Sequence, residues 1–494
     1  HWEWFVWVHA NPPQNADPAT YLRKAPAFFP DAFLEDRETG LRGGVTQPLW
    51  GSVAVPRDAA PGDYRGTLTV TLAFRRGSTE RVVVPVALHV WPFSLPDRSS
   101  LHHTEWFHPH ALARWYHLEP WSEKHWMWIE RCARDLAAHK ADMINTDLVG
   151  LTAPRLDARG RLTFDFSRFD RWIDTFRRAG IEWIEGGHVA GRTGGWVSPI
   201  GWNRWSPKDA QGRPVDTSRA RMSDAQFKGY TEQLLKAVHA HLKARGLAHR
   251  YVQHVADEPT PANLASWKSV ARDVGRWLPG VRRIDAIEAE GMEGACELRV
   301  PQIQEIHRPS RLRAPEELWC YVCLSPQTIY PNRFLDYPSI RNRMIYWLCW
   351  SLNLKGFLHW AYNYWQPWSG LPHDVPISPW TDTTGGSLYN VDTQPLPAGD
   401  AHVVYPGKDS ICSSIRWEVI RKGYEDFELL RRLEAAVRRP TRRAAASVAR
   451  GRALLEFVRG TVAPDPARHT HDDRVLLAAR REAGALVSAL APER

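Results

Sequence analysis

No run of 18 apolar residues occurs in the 494-residue chain, which excludes an ordinary membrane-spanning helix. Cysteine is scarce. Six residues, Cys132, Cys296, Cys320, Cys323, Cys349 and Cys412, are too few for a disulfide framework at this length. Cys320-Tyr-Val-Cys323 has the spacing of a metal clasp, yet it lies in an apolar, aromatic run with no second pair nearby. Buried structural thiols are therefore expected, with no metal and no cofactor. Internal repeats and low-complexity tracts are lacking, which excludes a solenoid. At His1 there is neither an initiator Met nor a hydrophobic leader. A secreted or periplasmic location is expected, with its signal outside this chain.

What is present is length, positive charge and tryptophan. The length implies two or three domains with ample core. The formal net charge of +9 suggests nucleic acid until the surplus is located. From Arg416 to Arg494 there are 17 Lys and Arg against 11 Asp and Glu, interleaved with Ala and Leu at helical spacing. That is the pattern of a solvated helical face, and no nucleic-acid partner is expected. The 25 tryptophans are the compositional outlier; core packing accounts for most of them, but aromatic faces stack on the C–H faces of sugars, so those beside polar candidates point to a glycan partner.

Three regions follow from the patterning, and the fold class is multidomain α/β. Residues 1–98 read as an all-β sandwich, with β-branched runs at 49–56, 66–74 and 81–91 separated by turn residues. Residues 101–410 alternate strands with helices, as a (β/α)8-type barrel does. Strands are predicted near 103–108, 142–148, 181–188, 250–257, 282–288, 299–305, 318–324 and 356–362. The fifth and sixth carry the weakest signal, with no long helix between them. Residues 411–494 read as helices that pack on the barrel, broken at Arg438-Arg439-Pro440.

The chemistry concentrates at Asp257-Glu258-Pro259, after the apolar run that starts at Tyr251. Ser223 with Gln226 forms a capping box for the preceding helix, Gly246 its C-terminal cap, and Thr260-Pro261 the expected start of the next. The acids thus fall in a strand-to-helix loop, the catalytic face of such a barrel. Pro259 is expected to hold Glu258 extended, so that the chain leaves the pleat and both acids lean into one pocket. Capping or salt bridging is the rival explanation, but Gln253 and His254 just upstream place polar groups in a buried segment, as a network beneath a site would. Two adjacent acids suit glycoside hydrolysis, one giving a proton and the other stabilising positive charge. The seventh predicted strand contains no carboxylate to serve as an opposing nucleophile. Glu105, Glu288 and Glu305 remain as candidates, and a 2-acetamido sugar that attacks with its own amide oxygen removes the need for any.

Gln253-His-Val-Ala-Asp-Glu-Pro259, Trp319-Cys-Tyr321, Tyr330-Pro-Asn-Arg-Phe334, Gly356-Phe-Leu-His-Trp-Ala-Tyr-Asn-Tyr-Trp365 and Tyr405-Pro-Gly407 with the helix from Ile415 together resemble glycoside hydrolase family 123 and its less characterised relatives. Val53-Ala-Val-Pro56 with Pro61-Gly-Asp-Tyr-Arg-Gly66 resembles the sandwich of that family. The resemblance implies an exo-acting, retaining β-N-acetylgalactosaminidase that uses substrate assistance without metal or cofactor. By the same resemblance Glu258 would be the general acid/base and Asp257 would orient the acetamido N–H. Tyr321 would bond the acetamido oxygen, and His188, Asn332, Trp360, Asn363 and Trp365 would line the sugar pocket. A Pro-rich insert from Gln366 to Pro397 departs from the pattern and is expected to cover that pocket. A non-catalytic glycan-binding protein and a two-carboxylate glycosidase are the alternative readings.

Overall fold

The computed structural model describes residues 3–11, 18–36, 38–41, 43–75, 77–287, 291, 295–306, 317–368, 376–387, 395–438 and 445–490. Its centre is a parallel ladder of nine strand segments. In chain order these are His102–Glu105, Met143–Thr146, Trp183–Gly186, Tyr251–His254, Arg282–Ala286, Leu298–Val300, Glu317–Leu318 with Cys320–Tyr321, and Gly356–His359. Glu317–Leu318 pairs with the sixth strand and Cys320–Tyr321 with the eighth. The two are halves of one seventh strand, interrupted only at Trp319, and the ladder closes through it into eight staves. A Cβ on Gly356 would come within 2.1 Å of the Trp319 ring, so the missing side chain gives the indole its place at that seam.

All eight predicted strands are present, the weak fifth and sixth included. Most of their residues are buried, those of Tyr251–His254 and Gly356–His359 throughout, because helices cover the outside of a parallel barrel. Met143, Val252, Ile284, Leu298, Val300, Trp319 and Leu358 form one apolar cluster, separate from the larger one formed with the helices. The helix Asp224–Ala244 has its expected Ser223–Gln226 capping box, and Gly246 follows at φ +69°. The next helix begins later than expected, at Leu264, with Asn263 rather than Thr260 at its N-cap. The Asn263 carboxamide oxygen accepts the Thr260 amide at 2.8 Å and closes the intervening turn.

The N-terminal strands form two separate antiparallel pairs, Glu3–Val8 with Ala27–Phe33 and Gly62–Ala73 with Thr79–Val90. The first shares an apolar cluster with Leu335, Ala398, Tyr405 and Cys412. The second is exposed along nearly its whole length, so among the described residues no second sheet covers it as the expected sandwich would require. At the other end, Ile415–Arg438 packs on Ser339–Ser351, a helix buried on every side because it lies between the barrel and the C-terminal helices. The helix is described as far as Arg438, and the break expected at Arg438-Arg439-Pro440 falls with residues 439–444 outside the described residues. All six cysteines are free thiols, with Cys320 and Cys349 3.6 Å apart between sulfurs. No described helix is long and apolar enough to cross a membrane.

Candidate active site

The fourth strand ends at His254 and the chain then leaves the ladder. Several of the backbone groups that this frees find a side chain or a neighbouring loop. Val255 N and Ala256 N donate to the Asp285 carboxylate at 3.1 and 3.0 Å, and Val255 O accepts from Ala190 N at 3.0 Å. Ala256 O accepts from the Trp267 indole at 2.9 Å, and Glu258 O from the Arg192 guanidinium at 2.6 Å. Glu258 is not extended, as its place before Pro259 predicts, but lies at φ +42°. Left-handed backbone is strained for a non-glycine residue, and it persists here because these tertiary hydrogen bonds over-determine the turn.

That turn aims both acids at the barrel mouth. The Tyr321 hydroxyl, at the end of the seventh strand, donates to Glu258 Oε1. This is the hydroxyl expected at an acetamido oxygen, and in this structure it holds the acid. The Asp257 side chain is 49% exposed, open to a substrate, and its Oδ1 lies 4.0 Å from Nε2 of His188, which is 19% exposed. The same His188 nitrogen lies 3.4 Å from Asp285 Oδ1.

Beneath the acids lies a buried network. His254 Nδ1 meets Asp285 Oδ1 at 2.8 Å and Nε2 meets Glu185 Oε1 at 2.5 Å. Thr104 Oγ1 and Trp106 Nε1 donate to Glu185 at 2.5 and 2.9 Å. Burial alone would depress the His254 imidazole, but the two carboxylates on its nitrogens outweigh burial and hold it up at about 10. Burial opposes ionisation of Glu185 and Asp285 too, and their hydrogen bonds from histidine keep both below the usual carboxylate range. Gln253 supports the neighbouring loop by donating to Gly187 O at 2.8 Å and His254 O at 2.7 Å. A Cβ on Gly186 would lie 2.5 Å from the Tyr251 hydroxyl and 2.6 Å from Gln253 Oε1, so only glycine admits this contact. His188, His254 and Asp285 bring ligand-type atoms within 4.8 Å of one another. Both His254 nitrogens already bond carboxylates, however, so its ring has no lone pair for a metal.

Three expected sugar contacts have other duties. The buried Asn332 amide donates to Cys323 O and Pro326 O at 2.9 and 2.8 Å while its oxygen accepts Arg333 N at 2.7 Å, which shapes the loop after the seventh strand. Asn363 exchanges hydrogen bonds with His108 N and O at 2.9 and 3.3 Å, tying the eighth loop to the first. Trp365 is buried in the main core, its indole bonded to Val404 O at 3.2 Å. Trp360 is different. It is half-buried and packs with Tyr364 and Trp368, ring centroids 5.1 and 5.0 Å away, to form an aromatic wall at the end of the eighth strand. Trp368 belongs to the Pro-rich insert, of which 369–375 and 388–394 lie outside the described residues. A cavity of about 310 Å³ adjoins this wall, lined by His108, Pro109, His110, Arg114 and Gln366 but by neither acid. A larger one of about 560 Å³, lined by residues such as Arg98, Lys140, Asp142 and Gly180, opens at the opposite end, where the strands begin. Barrels keep their chemistry at the C-terminal ends of the strands, so this larger cavity is not the active site.

Of the candidate nucleophiles, Glu105 follows Thr104 in a strand, so the two side chains point to opposite faces. Thr104 reaches Glu185 beneath the acids; Glu105, fully buried, is bonded to Arg333 at 2.6 Å instead. Glu305 is exposed on a short helical turn after the sixth strand, and Glu288 lies outside the described residues.

Sequence reasoning missed Asp400, whose Oδ2 accepts the Trp360 indole at 3.2 Å. Burial pushes its carboxyl up to about 7 from the ordinary 3.8. Since the folded value is the higher, this site's stabilisation is complete below about pH 4 and is lost as the pH rises to about 7. In Asp400→Asn that loss should vanish. The unfolding midpoint of the variant should equal that of wild type at low pH, exceed it by a growing margin up to about pH 7, and keep that margin above. A difference independent of pH would mean that folding does not raise the Asp400 carboxyl.

A (β/α)8 barrel whose fourth strand delivers two acids to the mouth, one of them held by a tyrosine from the seventh strand, is the framework of a glycoside hydrolase. The model of the glycoside hydrolase 123 catalytic domain matches residues 106–433, and the chain belongs to that family. A family 123 glycoside hydrolase from Clostridium perfringens, described in work on glycolipid glycan hydrolysis, superposes with a TM-score of 0.63 at 15% identity, covering 89% of this chain and 77% of the clostridial one. A family 5 glycoside hydrolase from Bacteroides vulgatus gives a TM-score of only 0.33 at 10% identity, over 62% of this chain and 66% of its own. No curated protein matches the chain.

Proposed function

We propose that this glycoside hydrolase is an exo-acting, retaining β-N-acetylgalactosaminidase working through an oxazolinium intermediate. The observation that carries the reading is the pairing of a tyrosine-held Glu258 with a half-exposed Asp257 in one turn, while Glu105 is bound to Arg333 on the other face of its strand. In the first step the acetamido oxygen of the sugar bonds to C1 as the glycosidic C–O bond breaks. Glu258 gives its proton to the departing oxygen, and the Asp257 carboxylate accepts the amide N–H and offsets the positive charge of the ring. Water then adds to C1 from the vacated face, Glu258 takes its proton, and the oxazolinium opens with retained configuration. Trp360, Tyr364 and Trp368 supply a stacking wall for the sugar. The clostridial relative is described as acting on glycolipid glycan; a terminal β-linked N-acetylgalactosamine on such a glycan is the substrate proposed here, met in a secreted or periplasmic setting.

The comparison that tests this is hydrolysis of aryl β-N-acetylgalactosaminide, β-N-acetylglucosaminide and β-galactoside. The acetamido sugars should be cleaved and the plain galactoside should not. A thiazoline mimic of the cyclised sugar should inhibit at concentrations where N-acetylgalactosamine itself does little. Equal cleavage of the sugar without an acetamide would rule out substrate assistance.

A further inference from the structure

We propose that Asp285 is the positioning residue of the acid pair, acting through the backbone amides of Val255 and Ala256 and through the His188 ring; the inference rests on the roles just given to Asp257 and Glu258. The fourth and fifth strands pair in register from Val252 with Arg282 to His254 with Ile284, and there the ladder between them stops. One residue on, the fifth strand offers not a carbonyl but a carboxylate. Asp285 accepts the next two amides of the fourth strand, Val255 N and Ala256 N, and so lets the chain turn out of the pleat without leaving a buried N–H unpaired. The residue after Ala256 is Asp257. The turn that presents the acids is therefore built around this one side chain.

Two more groups converge on the same carboxylate. His254 Nδ1 meets Oδ1 at 2.8 Å, and His188 Nε2 lies 3.4 Å from Oδ1 and 4.0 Å from Asp257 Oδ1. Three donors of the fourth strand and its loop bond Asp285, the His188 ring lies against Oδ1, and the carboxylate is fully buried, out of reach of a sugar hydroxyl. His188, standing between the two carboxylates, is placed to fix Asp257 rather than to reach a hydroxyl. The arrangement survives burial because the Glu185–His254–Asp285 line alternates charge, with the imidazole held in its protonated form between two ionised acids.

Asparagine at 285 would turn one acceptor edge into an N–H₂ group facing other N–H donors, and the turn would have to move. A shift of about 1 Å in a reacting group costs about 10²-fold in rate. Asp285→Asn should therefore lower kcat on the aryl N-acetylgalactosaminide by about 10²-fold, with nitrophenyl and alkyl leaving groups affected alike. The decisive readout is inhibition. The thiazoline is gripped through its ring nitrogen by Asp257, so its inhibition constant should rise far more than that of N-acetylgalactosamine. A general loosening of the pocket would weaken both inhibitors equally and would overturn the proposal.

His188→Gln, at a partly exposed position, provides a second variant should Asp285→Asn fail to fold. It should show the same preferential loss of thiazoline binding with a smaller fall in kcat, whereas a sugar contact at His188 would again weaken both inhibitors together and remove the ring from the proposed line. Asp257→Asn and Glu258→Gln serve as references. If they are inactive while Asp285→Asn, folded, keeps wild-type kcat, the positioning role is wrong and the acid pair stands. If they are fully active, the catalytic reading itself is wrong, and the positioning role goes with it.

Discussion

Glu258→Gln is expected to lower kcat/KM by about 10²–10⁴-fold on substrates whose leaving group is a sugar or an alcohol, the span that general acid–base catalysis contributes. On dinitrophenyl substrates the first step needs little protonation, and its rate should fall much less. A plot of log kcat/KM against leaving-group pKa should therefore be steeper in the variant. The fold should be indifferent to the change: Glu258 is half-buried, and a glutamine carbonyl still accepts the Tyr321 hydroxyl. Asp257→Asn provides the contrast. Its contribution is to orient the amide and balance the oxazolinium charge, both independent of the leaving group, so the loss should be of similar size across the series. A uniform loss in Glu258→Gln, or none, would take the acid role away from this residue.

The barrel was legible in the sequence because short, partly apolar runs of strand length alternate with helical patterns, which depends on nothing distant. The acid pair was legible because it follows such a run directly. What surrounds the pair depends on partners far along the chain. His254 bonds Glu185 across 69 residues and Asp285 across 31; Glu105 bonds Arg333 across 228. No local spacing announces those pairs. A weaker signal did exist, since Glu185 and Asp285 are carboxylates within strands expected to be buried, the same anomaly that singled out Gln253 and His254. The bonds that Asn332, Asn363 and Trp365 make to the protein were hidden for the converse reason. Proximity to a strand end places a residue near the mouth, and only its hydrogen bonds decide whether it faces the cavity or braces a loop. Glu258 marks where a local rule yields: Pro259 disfavours helical backbone before it, but Arg192, Tyr321 and the amides on Asp285 set the turn from three directions.

Glu105→Gln should damage stability and leave chemistry alone. Glu105 and Arg333 are both fully buried, and the guanidinium also bonds the His359 ring at 2.6 Å and Ala361 O at 2.7 Å. Burial depresses the Arg333 guanidinium and the Glu105 charge opposes that depression, so the carboxylate is what makes a buried arginine tolerable. Removing one member of such a pair leaves the other charged in an apolar interior, at a cost of about 3–5 kcal/mol. Replacing both partners, as in Glu105→Gln with Arg333→Met, should recover part of that loss, because two neutral groups carry no desolvation penalty. Unfolding by denaturant, followed for the single and double variants, measures the difference. The same single variant also separates the two catalytic schemes. With the acetamido group as nucleophile, Glu105→Gln that remains folded at assay temperature keeps its kcat on the N-acetylgalactosaminide. A variant that is folded yet inactive would instead identify Glu105 as a protein nucleophile, and the oxazolinium route would have to be abandoned for a covalent one.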